Sequence, residues 1–139
     1  MSDYAVIDKN GRVVNVIVAD EEFINNWLPK YTNYSQAIER IGRKGNIGQL
    51  YVNGIFYEIT SFTEDLSSQI DGTKTSFNLT YLPQKDFNVT ATKDDIKVTL
   101  NNNVITDFEY NNQAITFTNP PASGSTLMVS YPIKKEVTE

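Results

Sequence analysis

The stretch that decides the fold is Asn101 to Phe117, "NNNVITDFEYNNQAITF". Asparagine clusters at 101–103 and 111–112 bracket short runs in which apolar and polar residues alternate. Val104, Thr106, Phe108 and Tyr110 can line one face, and Ile115 and Phe117 flank Thr116. A period of two marks strands with one side turned toward a core. Asparagine tolerates the left-handed backbone better than most residues, so both clusters predict the turns of a β-meander. Their role is geometric.

The same period extends outward. Phe77, Leu79 and Tyr81 alternate with polar residues, as do Ile96, Val98 and Leu100, and Leu127, Val129 and Tyr131. Short strands joined by Asn-rich or Pro/Gly-rich turns predict an antiparallel β-sandwich or partly open barrel over residues 70–134. Upstream, "SFTEDLSSQ" at 61–69 has the small, polar look of a linker. Residues 135–139 read as a C-terminal tail.

Residues 1–60 read as a small α+β module. Asn10-Gly11 lies between the apolar runs 4–8 and 12–18, and Asn53-Gly54 lies between 49–52 and 55–59. Asn-Gly between such runs predicts hairpins with type I′ turns. Val13, Val14, Val16, Ile17 and Val18 are apolar on both sides, which predicts a strand covered on both faces. Asp20 is placed to cap a short helix over "EEFINNWLP", with Glu21 and Glu22 at its positive end and Pro29 closing it. Trp27 belongs with the core on this reading. Residues 31–48 show no period and receive no assignment.

The fold class is therefore mainly β, with a small α+β N-terminal module. At 139 residues the chain fits one domain or two very small ones. Its net charge of −5 argues against a general grip on nucleic acid or anionic membrane. No apolar run is long enough to span a bilayer, and the start, "MSDYAVIDKN", lacks a secretion-signal layout. Cysteine and histidine are both absent, which removes thiolate chemistry, the commonest general base and the commonest transition-metal ligand. The sequence thus predicts neither a catalytic site nor a cofactor or metal.

"RIGRKGNIG", Arg40 to Gly48, carries the densest positive charge. A phosphate-cradling loop would use its glycine amides, but such a loop should follow a strand and open a helix. Here a hairpin follows, so the stretch reads as a solvated loop or subunit contact. Arg40, Arg43 and Lys44 would suit an acidic neighbour. The acidic pairs Glu64-Asp65 and Asp94-Asp95 read as solvated charges, because adjacent strand residues point to opposite faces. Tyr31 and Tyr34, in the unassigned segment, are expected to be exposed and are the candidates for contact with a host surface glycan.

Two sets of residues carry a resemblance. "YAVIDKNGRVVNVIVAD", a short helix and then "IGQLYVNGIFYE" resemble an N-terminal module of tail-fibre and related structural proteins of tailed bacteriophages. "IDGTKTSFNLTYLP", "IKVTLNNNVI" and "AITFTNPPASGSTLMVSYP" resemble a β-module of phage tail, neck and fibre proteins. One departure is Asn101-Asn102-Asn103, where the pattern usually has Asn-Gly. The resemblance implies a non-enzymatic virion component, assembled in the host bacterial cytoplasm, of the tail, neck or fibre or else a capsid decoration protein. It supplies no catalytic residues to carry over. Its partners would be other virion proteins. The thin cores of two small modules add the expectation of a homo-oligomer.

Overall fold

A computed structural model describes residues 2–30, 34–40 and 43–138. The chain divides into two compact units, residues 1–58 with 135–139, and residues 59–134. Among the described residues the architecture is mainly β with a single α-helix.

In the first unit β1 (Ser2–Asp8) is the central strand of a three-stranded sheet. It pairs antiparallel with β2 (Val13–Ala19) on one side and β3 (Tyr34–Glu39) on the other. Ala5, Val6 and Ile7 are consecutive and all fully buried. Because successive side chains alternate, the strand covered on both faces is β1. The double-sided coverage expected of β2 is not found there. As an edge strand it leaves Val14 38% and Val18 67% exposed.

After β2 comes α1 (Glu21–Trp27), capped by Asp20, whose carboxylate accepts from the Phe23 amide at 2.8 Å. The helix tightens into one 3-10 turn, Leu28–Lys30, at Pro29. Ile24 is buried, while Phe23 is exposed. The hairpin of β4 (Leu50–Val52) with β5 (Ile55–Asp65) adds Phe56 to a core of Ala5, Ile7, Val13 and Val137.

Tight turns follow two recipes. In β4–β5 the loop is Asn53 (φ 49°) and Gly54 (φ 85°), both left-handed as a type I′ turn requires. At Asn10-Gly11 the expected type I′ turn is absent, since only Gly11 has positive φ (86°). Its amide donates to Asp8 O (3.1 Å) and Asp8 N donates to Arg12 O (3.0 Å). This is the three-residue loop ending in a left-handed glycine. The glycine serves a second purpose here, because Tyr51 N donates to Gly11 O at 2.7 Å and a Cβ on Gly11 would lie 2.9 Å from Tyr51 O.

The second unit contains β6 (Ser76–Asn78), β7 (Gln84–Asp86), β8 (Val89–Thr90), β9 (Lys97–Leu100), β10 (Asn103–Ile105), β11 (Phe108–Asn111), β12 (Ala114–Phe117) and β13 (Leu127–Glu136). One layer has the order β10-β9-β13-β5 and another β11-β12-β6, with the hairpin β7–β8 apart. Phe77, Val98, Phe108, Ile115, Phe117, Leu127, Val129 and Tyr131 from both layers share one buried cluster, which makes a sandwich. Its hairpins turn on Asn101 (φ 51°) with Asn102 (φ 68°), and on Asn112 (φ 48°) with Gln113 (φ 65°). Each asparagine cluster therefore supplies residues to a two-residue left-handed turn, the second completed by Gln113. Val104 and Phe108, grouped on one face by spacing, lie on different sheets. Phe108 is buried and Val104 is 63% exposed.

Neither the linker nor the tail of the sequence reading exists as such. Residues 61–65 continue β5, and Ser67–Gln69 form a 3-10 turn. Lys135 and Glu136 end β13, and Val137 is buried, its amide donating to Phe56 O at 2.8 Å. Alternation within β5 had been masked by Ser61, Thr63 and Asp65 on its more exposed side.

The two glycines provide a direct comparison. Replacing Gly11 by Ala is expected to cost about 3 kcal/mol, from left-handed strain plus the collision with Tyr51. Gly54→Ala, with open space around it, should cost about 1 kcal/mol. Urea midpoints of the two variants check the ranking.

Candidate functional site

The basic loop is built around a side chain that sequence reading passed over. Gln49 is buried (5% exposed), and its Oε1 accepts from the amides of Gly45 (2.8 Å) and Asn46 (3.2 Å). Its Nε2 donates to Arg43 O at 3.1 Å, and its own carbonyl accepts from Val13 N at 2.8 Å. The amides of Gly45 and Asn46 are thus already turned onto a neutral carboxamide from the same loop. Here the stretch read as a solvated loop or subunit contact forms a self-filled turn. A polar residue placed just before an apolar hairpin was the available signal.

The candidate partner contacts are dispersed by the same economy. Arg40, with a side chain 19% exposed, pairs with Asp3 at 3.5 Å, and it donates to the Asn46 carboxamide oxygen and to Lys44 O. Arg43 forks onto both oxygens of Glu58, at 2.9 and 3.0 Å. Lys44 is half-buried and supplies the carbonyl that Arg40 holds. The two arginines are therefore committed to this unit's own carboxylates.

Tyr34 is half-buried on β3, its ring 5.6 Å from that of Trp27, which lies 6.3 Å from Phe23. Tyr31 lies outside the described residues. Phe23 and Trp27 line an open hollow with Asp20, Glu22 and Asn26. The aromatic surface expected at Tyr34 therefore continues onto α1. Trp27, assigned to the core from sequence, is only partly covered.

In the second unit Glu64, Asp65, Asp71 and Asp95 are structural. Glu64, read as a solvated charge, accepts from Thr80 N (3.1 Å), Thr80 Oγ1 (2.7 Å) and the Tyr131 hydroxyl. It thereby ties the loop after β6 to β5 and β13. Burial, and then the hydrogen bond to Glu64, pushes the Tyr131 phenol well above its ordinary range. Asp65 accepts from Ser67, which draws its carboxyl below the usual value. Asp71 is held low by the amides of Thr73 (2.8 Å) and Lys74 (2.7 Å), the Asx turn that "DGT" encodes with Gly72 at φ 84°. Asp95 and Thr92 cap the turn before β9 reciprocally.

No protein-family model, curated protein or solved structure matches the chain.

Replacing Gln49 by Leu leaves two amides and a carbonyl of the loop without partners and should cost about 3 kcal/mol by urea unfolding. A pH dependence follows from Tyr131. Its folded pKa is raised above the ordinary 10.0, so the stability it contributes is complete below that value and declines as pH rises past it. Alkaline titration followed by circular dichroism should show unfolding above pH 10 that Tyr131→Phe makes shallower.

Proposed function

We propose that the protein is a non-enzymatic structural component of a tailed-bacteriophage particle, belonging to its tail, neck or fibre apparatus and acting through protein–protein assembly. The observation that carries this reading is where the residues of the resemblance fall. "NVIVAD" is the edge strand β2 running into the cap of α1, and "YVNGIFYE" is the β4–β5 hairpin. "DGT" is the Asx turn held by Asp71, and "PPASG" is the turn before β13, with Ser125 N bonded to Ala122 O. Asp20, Asn53, Gly54, Asp71 and Gly72 of these patterns each serve a cap or a turn.

The distribution of polar chemistry supports the same reading. Gln49, Arg40, Arg43, Glu64, Asp71 and Asp95 brace loops and turns, as suits a protein whose product is a shape. Exposed apolar residues on the β2 edge, Val14 and Val18, offer the kind of surface that assembly covers. On this reading the protein associates with copies of itself and with other virion proteins. A head decoration protein shares these features and differs in copy number. A second reading, contact with a host surface glycan, is favoured by the Phe23–Trp27–Tyr34 rings beside Asp20, Glu22 and Asn26.

Mass spectrometry of purified particles from a lysate that produces the chain tests the proposal. The expected result is its presence at a fixed stoichiometry with tail or neck proteins. A ratio that follows the major head protein would shift the assignment to decoration. Absence from the particles would overturn it.

A further inference from the structure

Asn-Gly occurs twice in this chain, at Asn10-Gly11 and Asn53-Gly54, in sequence contexts equally open to backbone chemistry. The glycine nitrogen that follows an asparagine can attack the side-chain carboxamide, and a missing Cβ leaves that nitrogen unshielded. Whether it does so in a folded protein depends on how firmly the turn is held.

The two turns differ on every count. At the first, Gly11 N donates to Asp8 O (3.1 Å) and Gly11 O accepts from Tyr51 N (2.7 Å). Asn10 N and Arg12 N both donate to Asp8 Oδ1, at 2.9 and 3.0 Å. A Cβ on Gly11 would meet Tyr51 O at 2.9 Å, so the backbone there is also crowded. At the second, the Gly54 amide makes no hydrogen bond among the described residues, and nothing lies within 4 Å of where its Cβ would be. Asn53 and Gly54 are exposed, and the flanking strand β4 is only Leu50–Val52, with Val52 itself exposed. Opening this tip disturbs little beyond the Val52–Ile55 pair.

We propose that Asn53 is a site of spontaneous deamidation in the folded protein, while the Asp8 carboxylate and Tyr51 hold Asn10 inert. Gly54 N bonds to Asn53 Cγ, the Cγ–Nδ2 bond breaks, and ammonia leaves with the proton from the glycine amide. Water then opens the resulting cyclic imide at either carbonyl, giving aspartate or its β-linked isomer. The isomer carries an extra methylene in the main chain of a two-residue loop, where the type I′ geometry fixes the strand register. Phe56, in the core of the first unit, is one residue past that pairing.

The test is peptide mapping by mass spectrometry after incubating the purified full chain in mildly alkaline buffer, folded and in urea. In the folded protein the amide-to-acid mass gain should appear at Asn53, with Asn10 roughly tenfold slower. In urea the two sites should convert at comparable rates. Equal rates in the folded protein, a faster Asn10, or conversion at Asn53 only in urea would each overturn the proposal.

Discussion

The constraint on which the structure rests is that a two-residue type I′ turn between antiparallel strands needs both residues in the left-handed region. Three hairpins meet it, at Asn53-Gly54, Asn101-Asn102 and Asn112-Gln113. A slip of one residue at any of them would turn every side chain of the strand to the other face. Register at Asn101-Asn102 keeps Val98 inward and Val104 outward. The turn residues also reach beyond their own loops. Asn101 N donates to Thr126 O at 2.8 Å while Asn101 Oδ1 accepts from the Thr126 amide at 2.9 Å, and Gln113 clasps Leu79 through main chain and side chain. The turns fix the strands, and the strands then fill the sandwich.

Much of this was legible because it is local. The cap at Asp20, the hairpin signals and the period of two in β12 and β13 each depend on neighbours a few residues away. What escaped depends on distant partners. β3 has no period of its own and exists because β1 offers it an edge. The linker reading of Ser61–Gln69 failed because Ser61–Asp65 continue a strand supported by β13 and Ser67–Gln69 form a 3-10 turn. Gln113 takes a left-handed turn position that composition would give to Gly or Asn, since its carboxamide bonds to the carbonyl of Leu79, just past β6. At Asn10-Gly11 the hairpin was legible and its turn type was not, because Asp8 and Tyr51 together decide it.

The candidate site residues show the same division. Charge density marked Arg40, Arg43 and Lys44, but sequence does not reveal that Asp3 and Glu58 lie within reach of the arginines. Glu64 looked solvated because its partners, Thr80 and Tyr131, are far along the chain. Gln49 carried only the faint signal of a polar residue before an apolar hairpin, yet it braces the loop at Arg43, Gly45 and Asn46. In a chain without histidine or cysteine, the buried carboxamide of Gln49 and the hydroxyl–carboxylate pairs of Glu64 take over bracing that disulfides or metals give to other small domains.

Val137 gives the order of synthesis a structural meaning. The first unit draws on residues 1–58 and 135–139, whereas the second is one continuous stretch, 59–134. On the ribosome all of residues 59–134 are synthesised before Val137 can join Phe56 in its cluster. The unit whose strands emerge earlier is therefore completed after the sequence of the later one. A cut after Lys134 would spare the continuous unit and leave Phe56 facing an open seam.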